Sequence, residues 1–267
     1  MKPVLFWDSG IGGIPYCRHF YERNPGEDIV YLADRLHFPY GEREQKELAA
    51  ILIALMEQVI RSVDPKMVVL ACNTASLAAL SALRKHFPTL PFVGTVPAVK
   101  PAVLASKTGK IGVLGTKFTI EESYIRELAA EHGDSEIVGI AAPELVAFVE
   151  TRLDSASPEE TKAMVRGYLN RFRAANVDSV VLGCTHFLFL LEDFQREAAP
   201  DITVFESIDG ITRRIESLLV ETAPSEKNNA NTDTAAQKLL LLTGSDSPQP
   251  SWVSWAERLG FSIAIMG

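Results

Sequence analysis

The chain has no excess of positive charge and no long hydrophobic run, and each absence excludes a class of function. Its formal net charge is −8 and its pI is near 5.2, opposite in sign to a surface that binds nucleic-acid phosphates. No uninterrupted apolar stretch reaches the roughly 18 residues that a membrane span requires. The opening residues, MKPVLFWDSG, lack the basic-then-apolar layout of a signal peptide. We expect a cytoplasmic protein with no nucleic-acid or membrane partner.

Cysteine is also scarce. The sequence has an odd number of cysteines and no CxxC motif; the three are Cys17, Cys72 and Cys184. It therefore indicates neither a disulfide framework nor a metal site. A cysteine can be a small buried hydrophobic residue or a reactive thiol. Cys17 lies in a stretch predicted to be helical, GGIPYCRHF, and we interpret it as a core residue.

Short apolar runs rich in β-branched residues alternate with longer amphipathic stretches. The runs are PVLFWD, DIVYLA, KMVVLAC, PFVGTV, KIGVLG, SEIVGI, DSVVLGC, DITVFE, QKLLLLTG and FSIAIM. The stretches between them read as helices, for example residues 42–63 and 158–174. This alternation predicts an α/β fold with mainly parallel sheets covered by helices on both faces.

Two parts of the chain repeat one order of motifs. WDSGIGG, YLADRLHFPYGERE and VVLACNT follow one another in the first part, and GVLGTKFT, VGIAAPELVAFVE and VVLGCTH in the second. The repeat predicts two similar three-layer α/β domains, one formed by residues 1–97 with 208–267 and the other by residues 98–207. The polar run over residues 222–237 is predicted to be an exposed loop.

Cys72 and Cys184 each follow a predicted strand at the point where a helix begins. Open α/β sheets bind ligands at this edge, and a helix N-terminus favours the thiolate form of a nearby cysteine. Either cysteine alone is compatible with core packing. Their repetition at matching positions favours a functional pair, and His186 is close enough in sequence to act with Cys184.

Other polar side chains follow the strands that precede these cysteines. Asp8 and Ser9 end the first strand in DSGIGG, where they either cap a helix or hold a catalytic group or a substrate ammonium. The glycines of this motif permit close backbone approach to a ligand. Thr116 and Thr119 in GTKFT are ordinary helix caps or part of the corresponding site in the second unit.

The motifs DSGIGG, PYGER, VVLACNTAS, VGTVPAVKPA, GVLGTKFT and VVLGCTH together resemble those of the glutamate racemases, within the aspartate/glutamate racemase superfamily. The resemblance implies two α/β domains related by a pseudo-twofold axis, with the substrate in the cleft between them and no pyridoxal phosphate or other cofactor. It also implies that one cysteine thiolate removes the α-proton while the opposite thiol delivers a proton to the other face. Inversion in both directions suits two equivalent acid/base groups.

The resemblance further implies roles for particular residues. Cys72 and Cys184 are expected to be catalytic, with Asp8 assisting the first and His186 the second. The α-amino and α-carboxylate groups of the substrate are expected to be held by Ser9, Asn73, Thr74 and Thr185, and its side-chain carboxylate by Tyr40, Gly41, Thr116 and Thr119. Glu150 matches a family glutamate near the site, although a surface helix position explains it equally well. The sequence departs from the family at Leu188, where proline is usual.

Glutamate is the expected substrate because the family recognises the longer side chain through the PYG and GTKFT segments, and the product D-glutamate serves peptidoglycan synthesis. Two alternatives stay open: an aspartate racemase with a shorter pocket, and an amino-acid-binding regulator with an idle site. The presence of both cysteines disfavours the regulator. Since family members are often dimers, a homodimer is also expected.

Overall fold

The computed structural model describes residues 2–222 and 236–266. The chain divides into two compact units, one formed by Met1–Thr95 with Ile208–Gly267 and the other by Val96–Ser207. Almost all of the loop predicted over residues 222–237 lies outside the described residues. In the part of the chain that is described, no helix is both long enough and apolar enough to cross a membrane.

Strands alternate with one or two helices along the described chain. In order they are β1 (Val4–Asp8), α1 (Ile14–Arg23), β2 (Ile29–Ala33), α2 (Gln45–Val63), β3 (Met67–Leu70), α3 (Asn73–His86), β4 (Phe92–Gly94), α4 (Val99–Ala105), β5 (Lys110–Gly115), α5 (Lys117–Glu121), α6 (Ser123–Ala130), β6 (Glu136–Ala141), α7 (Pro143–Thr151), α8 (Pro158–Ala174), β7 (Ser179–Leu182), α9 (Leu191–Ala198), β8 (Thr203–Phe205), α10 (Ile208–Thr222), β9 (Lys238–Thr243), α11 (Pro250–Leu259) and β10 (Ser262–Met266).

Each unit is built on one parallel sheet. Within the described residues the first sheet has six strands in the order β10-β9-β2-β1-β3-β4, and the second has four in the order β6-β5-β7-β8. All the strand pairs of both sheets are parallel. The α/β class predicted from the sequence is confirmed, and each apolar run that was predicted to be a strand forms one.

Strand β1 shows why these runs are apolar throughout. Leu5 and Trp7 belong to a buried cluster with residues of α2 and α3, whereas the ring of Phe6 lies 5.5 Å from that of Phe20 on α1. Successive side chains of a strand point to opposite faces, so helices cover the sheet on both sides. Burial of each such side chain contributes about 1.5–3 kcal/mol.

Local signals set the helix ends. The predicted helix over residues 158–174 is confirmed as α8, which has Pro158 in its first turn and a Ser157 hydroxyl that accepts a hydrogen bond from the Glu160 N–H at 3.2 Å. The helix predicted from residue 42 begins at Gln45 instead. Residues Tyr40–Glu42 form a 3-10 turn, because Pro39 and Gly41 disfavour an α-helix there.

Cys17 lies on α1 and is buried, as expected for a core residue. Burial raises the pKa of its thiol far above the usual value, and the nearby Lys238 offsets only part of this. Since the thiolate is the reactive form of cysteine, Cys17 is chemically inert in the folded chain.

Candidate active site

The site in the first unit lies at the carboxyl-terminal edge of its sheet. Asp8 ends β1, and Cys72 comes two residues after the end of the neighbouring strand β3. Both residues are buried. A Cβ atom at Gly13 would lie 2.6 Å from the Cβ of Ala71 and 2.9 Å from its carbonyl oxygen. Glycine is therefore required for the Ser9–Gly13 loop to pack against the residue that precedes Cys72.

Asp8 organises this loop rather than capping α1. Its Oδ1 accepts hydrogen bonds from the Gly10 N–H at 2.8 Å and from the Ser9 hydroxyl at 3.4 Å. The N-cap of α1 is Gly13, so a capping role for Asp8 or Ser9 is wrong. The Tyr31 hydroxyl spans the loop, because it donates to the Gly10 carbonyl at 2.8 Å and accepts from the Gly13 N–H at 3.0 Å.

Cys72 is the N-cap residue of α3, with φ −141° and ψ 120°. Asn73 and Thr74, in the first turn of α3, are buried. Among the described residues, the Oδ1 atom of Asn73 has no hydrogen-bond partner. A buried acceptor of this kind costs free energy unless a donor reaches it, so it marks a place where a ligand donor would be accommodated.

A buried carboxylate that the sequence analysis did not single out lies at the same edge. Asp34 directly follows β2 and is fully buried. Its carboxylate accepts hydrogen bonds from the Tyr40 hydroxyl at 2.7 Å and the Thr243 hydroxyl at 2.8 Å, and Nδ1 of His37 lies 2.8 Å away. The signal in the sequence was an acidic residue at the end of a buried strand, as at Asp8.

Tyr40 is therefore turned toward Asp34. Its hydroxyl also accepts a hydrogen bond from Nε1 of Trp7 at 3.1 Å. Burial, reinforced by the charge of Asp34, holds the pKa of Tyr40 well above its usual value. The side chain of Tyr40 stays a neutral phenol whose proton is committed to Asp34, and Gly41 follows it in the Tyr40–Glu42 turn.

In the second unit, Cys184 occupies the corresponding place two residues after β7. Its backbone angles, φ −133° and ψ 136°, are close to those of Cys72. The helix that follows is a 3-10 helix over Thr185–Leu190, and α9 begins only at Leu191. Leu188, which stands where the family usually has proline, lies in this segment and is buried.

Cys184, His186 and Glu150 form a chain of polar contacts. Nδ1 of His186 lies 3.7 Å from Sγ of Cys184, and its Nε2 lies 2.6 Å from Oε1 of Glu150 on α7. The Glu150 side chain is only 13% exposed, so it is not a helix-surface residue. Burial opposes a charge on the ring, but the contacts with Cys184 and Glu150 outweigh it and raise the pKa of His186 well above its usual value.

The threonines of the second unit lie at the same edge of its sheet. Thr116 caps α5, since its Oγ1 accepts a hydrogen bond from the Thr119 N–H at 3.2 Å, and the two hydroxyl oxygens are 3.0 Å apart. The capping interpretation is confirmed for Thr116, whereas a ligand role for either threonine stays a prediction. Thr185 directly follows Cys184 and is buried. Within the described residues, no cluster of three or more His, Cys, Asp or Glu side chains is arranged to hold a metal ion.

Comparisons with known proteins identify the class of enzyme to which this site belongs. A family model described as Asp/Glu/Hydantoin racemase matches residues 21–218, which is most of the chain, and the chain belongs to this family. It is therefore an amino-acid racemase, an isomerase. The predicted resemblance to the glutamate racemases is confirmed by its relatives.

These relatives include the glutamate racemase of Roseiflexus sp. (strain RS-1), which is 38% identical over 222 residues that cover 82% of this chain and 80% of that protein. The glutamate racemase of Shewanella sp. (strain MR-4) is 36% identical over 241 residues that cover 88% and 87%. Among solved structures, Escherichia coli glutamate racemase in complex with L-glutamate and the activator UDP-MurNAc-ala has a TM-score of 0.85 and 29% identity, and the match covers 99% of this chain and 98% of that one.

Proposed function

We propose that this enzyme interconverts L-glutamate and D-glutamate by proton transfer at the α-carbon, with Cys72 and Cys184 as the two acid/base groups and with no cofactor. The observation that carries the proposal is the repeated placement of the two thiols. Each is buried and lies two residues beyond the third strand of its unit in chain order, β3 or β7. The strand orders β2-β1-β3-β4 and β6-β5-β7-β8 correspond, and the two cysteines have nearly the same extended backbone angles.

In the proposed reaction one cysteine acts as a thiolate and the other as a thiol. The thiolate takes the α-proton, and the electron pair of the broken C–H bond is left on the α-carbon, where it delocalises into the α-carboxylate. The thiol of the second cysteine then gives its proton to the opposite face of the carbon. The configuration is inverted, and the two sulfurs exchange protonation states. The reverse reaction uses the same groups in the opposite order.

Cys184 is assisted by His186 and Glu150. The contacts of His186 with Cys184 and Glu150 raise its pKa and so favour the protonated ring; an imidazolium next to a cysteine favours the thiolate. Glu150 holds the ring in place through its contact with Nε2. Asp8 assists Cys72 from the adjoining strand. Its buried carboxylate is fixed by the Gly10 N–H.

Substrate binding is proposed at the polar groups that surround the thiols. Asn73 is the best-supported of these, because its buried Oδ1 is an acceptor suited to the α-ammonium group. Since the hydroxyl proton of Tyr40 is committed to Asp34, Tyr40 and Gly41 would offer backbone N–H groups to the side-chain carboxylate. The other proposed substrate-binding residues are Ser9, Thr74, Thr116, Thr119 and Thr185.

The proposal is tested by incubating the purified enzyme with L-glutamate in deuterated water, without pyridoxal phosphate. We expect deuterium at the α-carbon together with decay of the optical rotation to zero. Turnover of L-aspartate but not L-glutamate would instead make the enzyme an aspartate racemase. If neither amino acid exchanges its α-proton, the regulator with an idle site is supported.

A biological role follows from this substrate. We propose that the D-glutamate enters peptidoglycan synthesis, so loss of the enzyme should make growth depend on added D-glutamate. Growth of the deletion strain without D-glutamate, with intact peptidoglycan, would contradict this role. The cytoplasmic location and the homodimer stay predictions.

A further inference from the structure

We propose that Asp34 is a positioning residue that holds the Tyr40–Glu42 turn next to Cys72 and thereby sets the affinity for the substrate. The inference rests on the proposed function, because it assigns the backbone of Tyr40 and Gly41 to the substrate's side-chain carboxylate. Asp34 itself makes no proposed contact with the substrate.

The contacts of Asp34 fix its position from several directions. Its backbone N–H donates to the Asp8 carbonyl at 2.9 Å, which ties it to the end of β1. Its buried carboxylate takes hydrogen bonds from the Tyr40 and Thr243 hydroxyls at 2.7 and 2.8 Å, and Nδ1 of His37 lies 2.8 Å away. A carboxylate only accepts, so each of these groups must supply the proton. Such charge-assisted hydrogen bonds are about twice as strong as neutral ones.

The network continues from Asp34 to the surroundings of Cys72. The Tyr40 hydroxyl receives the indole N–H of Trp7, and Trp7 directly precedes Asp8. Trp7, Tyr40 and Cys72 belong to one buried apolar cluster. The Tyr40–Glu42 turn also packs against α3, whose N-cap is Cys72. A displacement of Tyr40 would therefore move the backbone N–H groups of the turn relative to Cys72.

Stability alone does not account for this arrangement. Burying a carboxylate costs free energy even when it is well hydrogen-bonded, and apolar groups of similar volume often stabilise a core as well or better. A buried carboxylate that accepts directional hydrogen bonds also fixes the position of each donor group. The donor that matters for the substrate is Tyr40, because the next residue, Gly41, belongs to the proposed binding turn.

The test compares two Asp→Asn substitutions. Asp34→Asn keeps the size of the side chain but replaces one acceptor oxygen by a donor NH₂, so that Tyr40 and Thr243 cannot both be accommodated as before. Losing a hydrogen bond to a charged group corresponds to roughly a 10- to 100-fold effect. We expect KM for both enantiomers of glutamate to rise by about that factor, while kcat stays within about threefold of the wild-type value because the cysteines are untouched.

Asp178→Asn is the matched control. The Asp178 carboxylate also accepts three hydrogen bonds, from the Ser106 hydroxyl at 2.6 Å and from the Lys107 and Thr108 N–H groups at 2.7 and 3.0 Å. It lies at the amino-terminal ends of the strands of the second unit, away from their carboxyl-terminal edge. We expect Asp178→Asn to lower the unfolding temperature and to leave KM unchanged.

The outcomes separate the inference from the proposed function. If the wild-type enzyme is active on glutamate but Asp34→Asn and Asp178→Asn have the same KM, the inference about Asp34 is wrong and the proposed function stands. The inference is also wrong if Asp34→Asn loses kcat while its KM stays constant. A wild-type enzyme inactive on glutamate would overturn both. If Asp34→Asn does not fold, Thr243→Val and Tyr40→Phe each remove one donor and should raise KM severalfold; an unchanged KM in both variants would contradict the role of Asp34.

Discussion

The two cysteine sites share a backbone framework but differ in the side chains around the thiol. The N–H of Ala71 donates to the Trp7 carbonyl at 2.8 Å, and the N–H of Gly183 donates to the Leu114 carbonyl at 2.7 Å. These equivalent hydrogen bonds tie the residue that precedes each cysteine to the strand that comes first in the chain in each unit, β1 or β5. Beyond the backbone, Cys184 has the imidazole of His186 at 3.7 Å, whereas the edge that carries Cys72 holds buried carboxylates.

A second pair of equivalent bonds extends the comparison. The Asp34 N–H donates to the Asp8 carbonyl at 2.9 Å, and the Ala142 N–H donates to the Gly115 carbonyl at 3.0 Å. Asp34 and Asp8 of the first unit thus correspond to Ala142 and Gly115 of the second. The repeated framework places two thiols alike, while the polar side chains near each thiol come from positions that are not equivalent. A two-base reaction requires matched thiols rather than matched neighbours.

The largest expected effect comes from removing either thiol. Cys72→Ser and Cys184→Ser should each lower racemisation by about 10²- to 10⁴-fold, the usual contribution of a general acid/base. The remaining thiol can still remove and return a proton on its own face. Each variant should therefore exchange the α-proton of one enantiomer without inversion, and the two variants should prefer opposite enantiomers. Proton NMR in deuterated water with each pure enantiomer measures this.

Cys17→Ser, which alters a buried thiol away from both sites, is the control for these variants and should racemise at the wild-type rate once folded. Full racemisation by either Cys72→Ser or Cys184→Ser would contradict the two-base mechanism. Exchange of the same enantiomer by both variants would contradict the assignment of one thiol to each face.

Removing Glu150 should have a smaller effect, confined to the Cys184 side. Glu150→Gln removes a negative partner that raises the pKa of His186, so the imidazolium should be lost at a lower pH than in the wild type. In the direction that uses Cys184 as the base, we expect the alkaline limb of the kcat/KM profile to move toward lower pH. Rates measured against pH in both directions, for each enantiomer, give the comparison.

Glu144→Gln provides the control, since Glu144 lies on the same helix and accepts from the Tyr168 hydroxyl at 2.8 Å rather than from His186. Its pH profile should match that of the wild type. Equal shifts of the alkaline limb in Glu150→Gln and Glu144→Gln would argue against a specific effect of Glu150 on His186.

The smallest effects are expected from two glycines, one in each unit. Gly13→Ala places a methyl group within 3 Å of Ala71, and such overpacking costs about 1–3 kcal/mol. A methyl group at Gly167, inside α8, would meet no atom of the described residues within 4 Å beyond the backbone of its own helix. Gly167→Ala should therefore stabilise the protein by about 0.5–1 kcal/mol through helix propensity. Urea unfolding of both variants measures the two changes, which should have opposite signs. A Gly13→Ala variant as stable as the wild type or more stable would contradict the close approach at Gly13.

Much of this description was predictable because local patterns carry it. Apolar runs in a chain of alternating strands and helices predict parallel sheets, and the position of Cys72 and Cys184 after buried strands follows from that prediction. The contacts that link Cys184, His186 and Glu150 were harder to predict from the sequence, since a glutamate on an amphipathic helix is normally exposed. Asp34 was missed because its acidic side chain lies in a turn-rich segment, where such residues are common for other reasons.

The sequence by itself determined the fold class, the pair of strand-end thiols and the family to which the enzyme belongs, because these depend on periodicity and on the order of motifs. Tertiary structure alone decided which side chains meet. Thr243 reaches Asp34 across 209 residues of sequence because β9 pairs with β2, and Glu150 reaches His186 across 36 because α7 packs against the segment that follows Cys184. Such contacts depend on strand order and helix packing, which bring together residues that are far apart in the sequence. The local sequence around one residue therefore does not predict its partner.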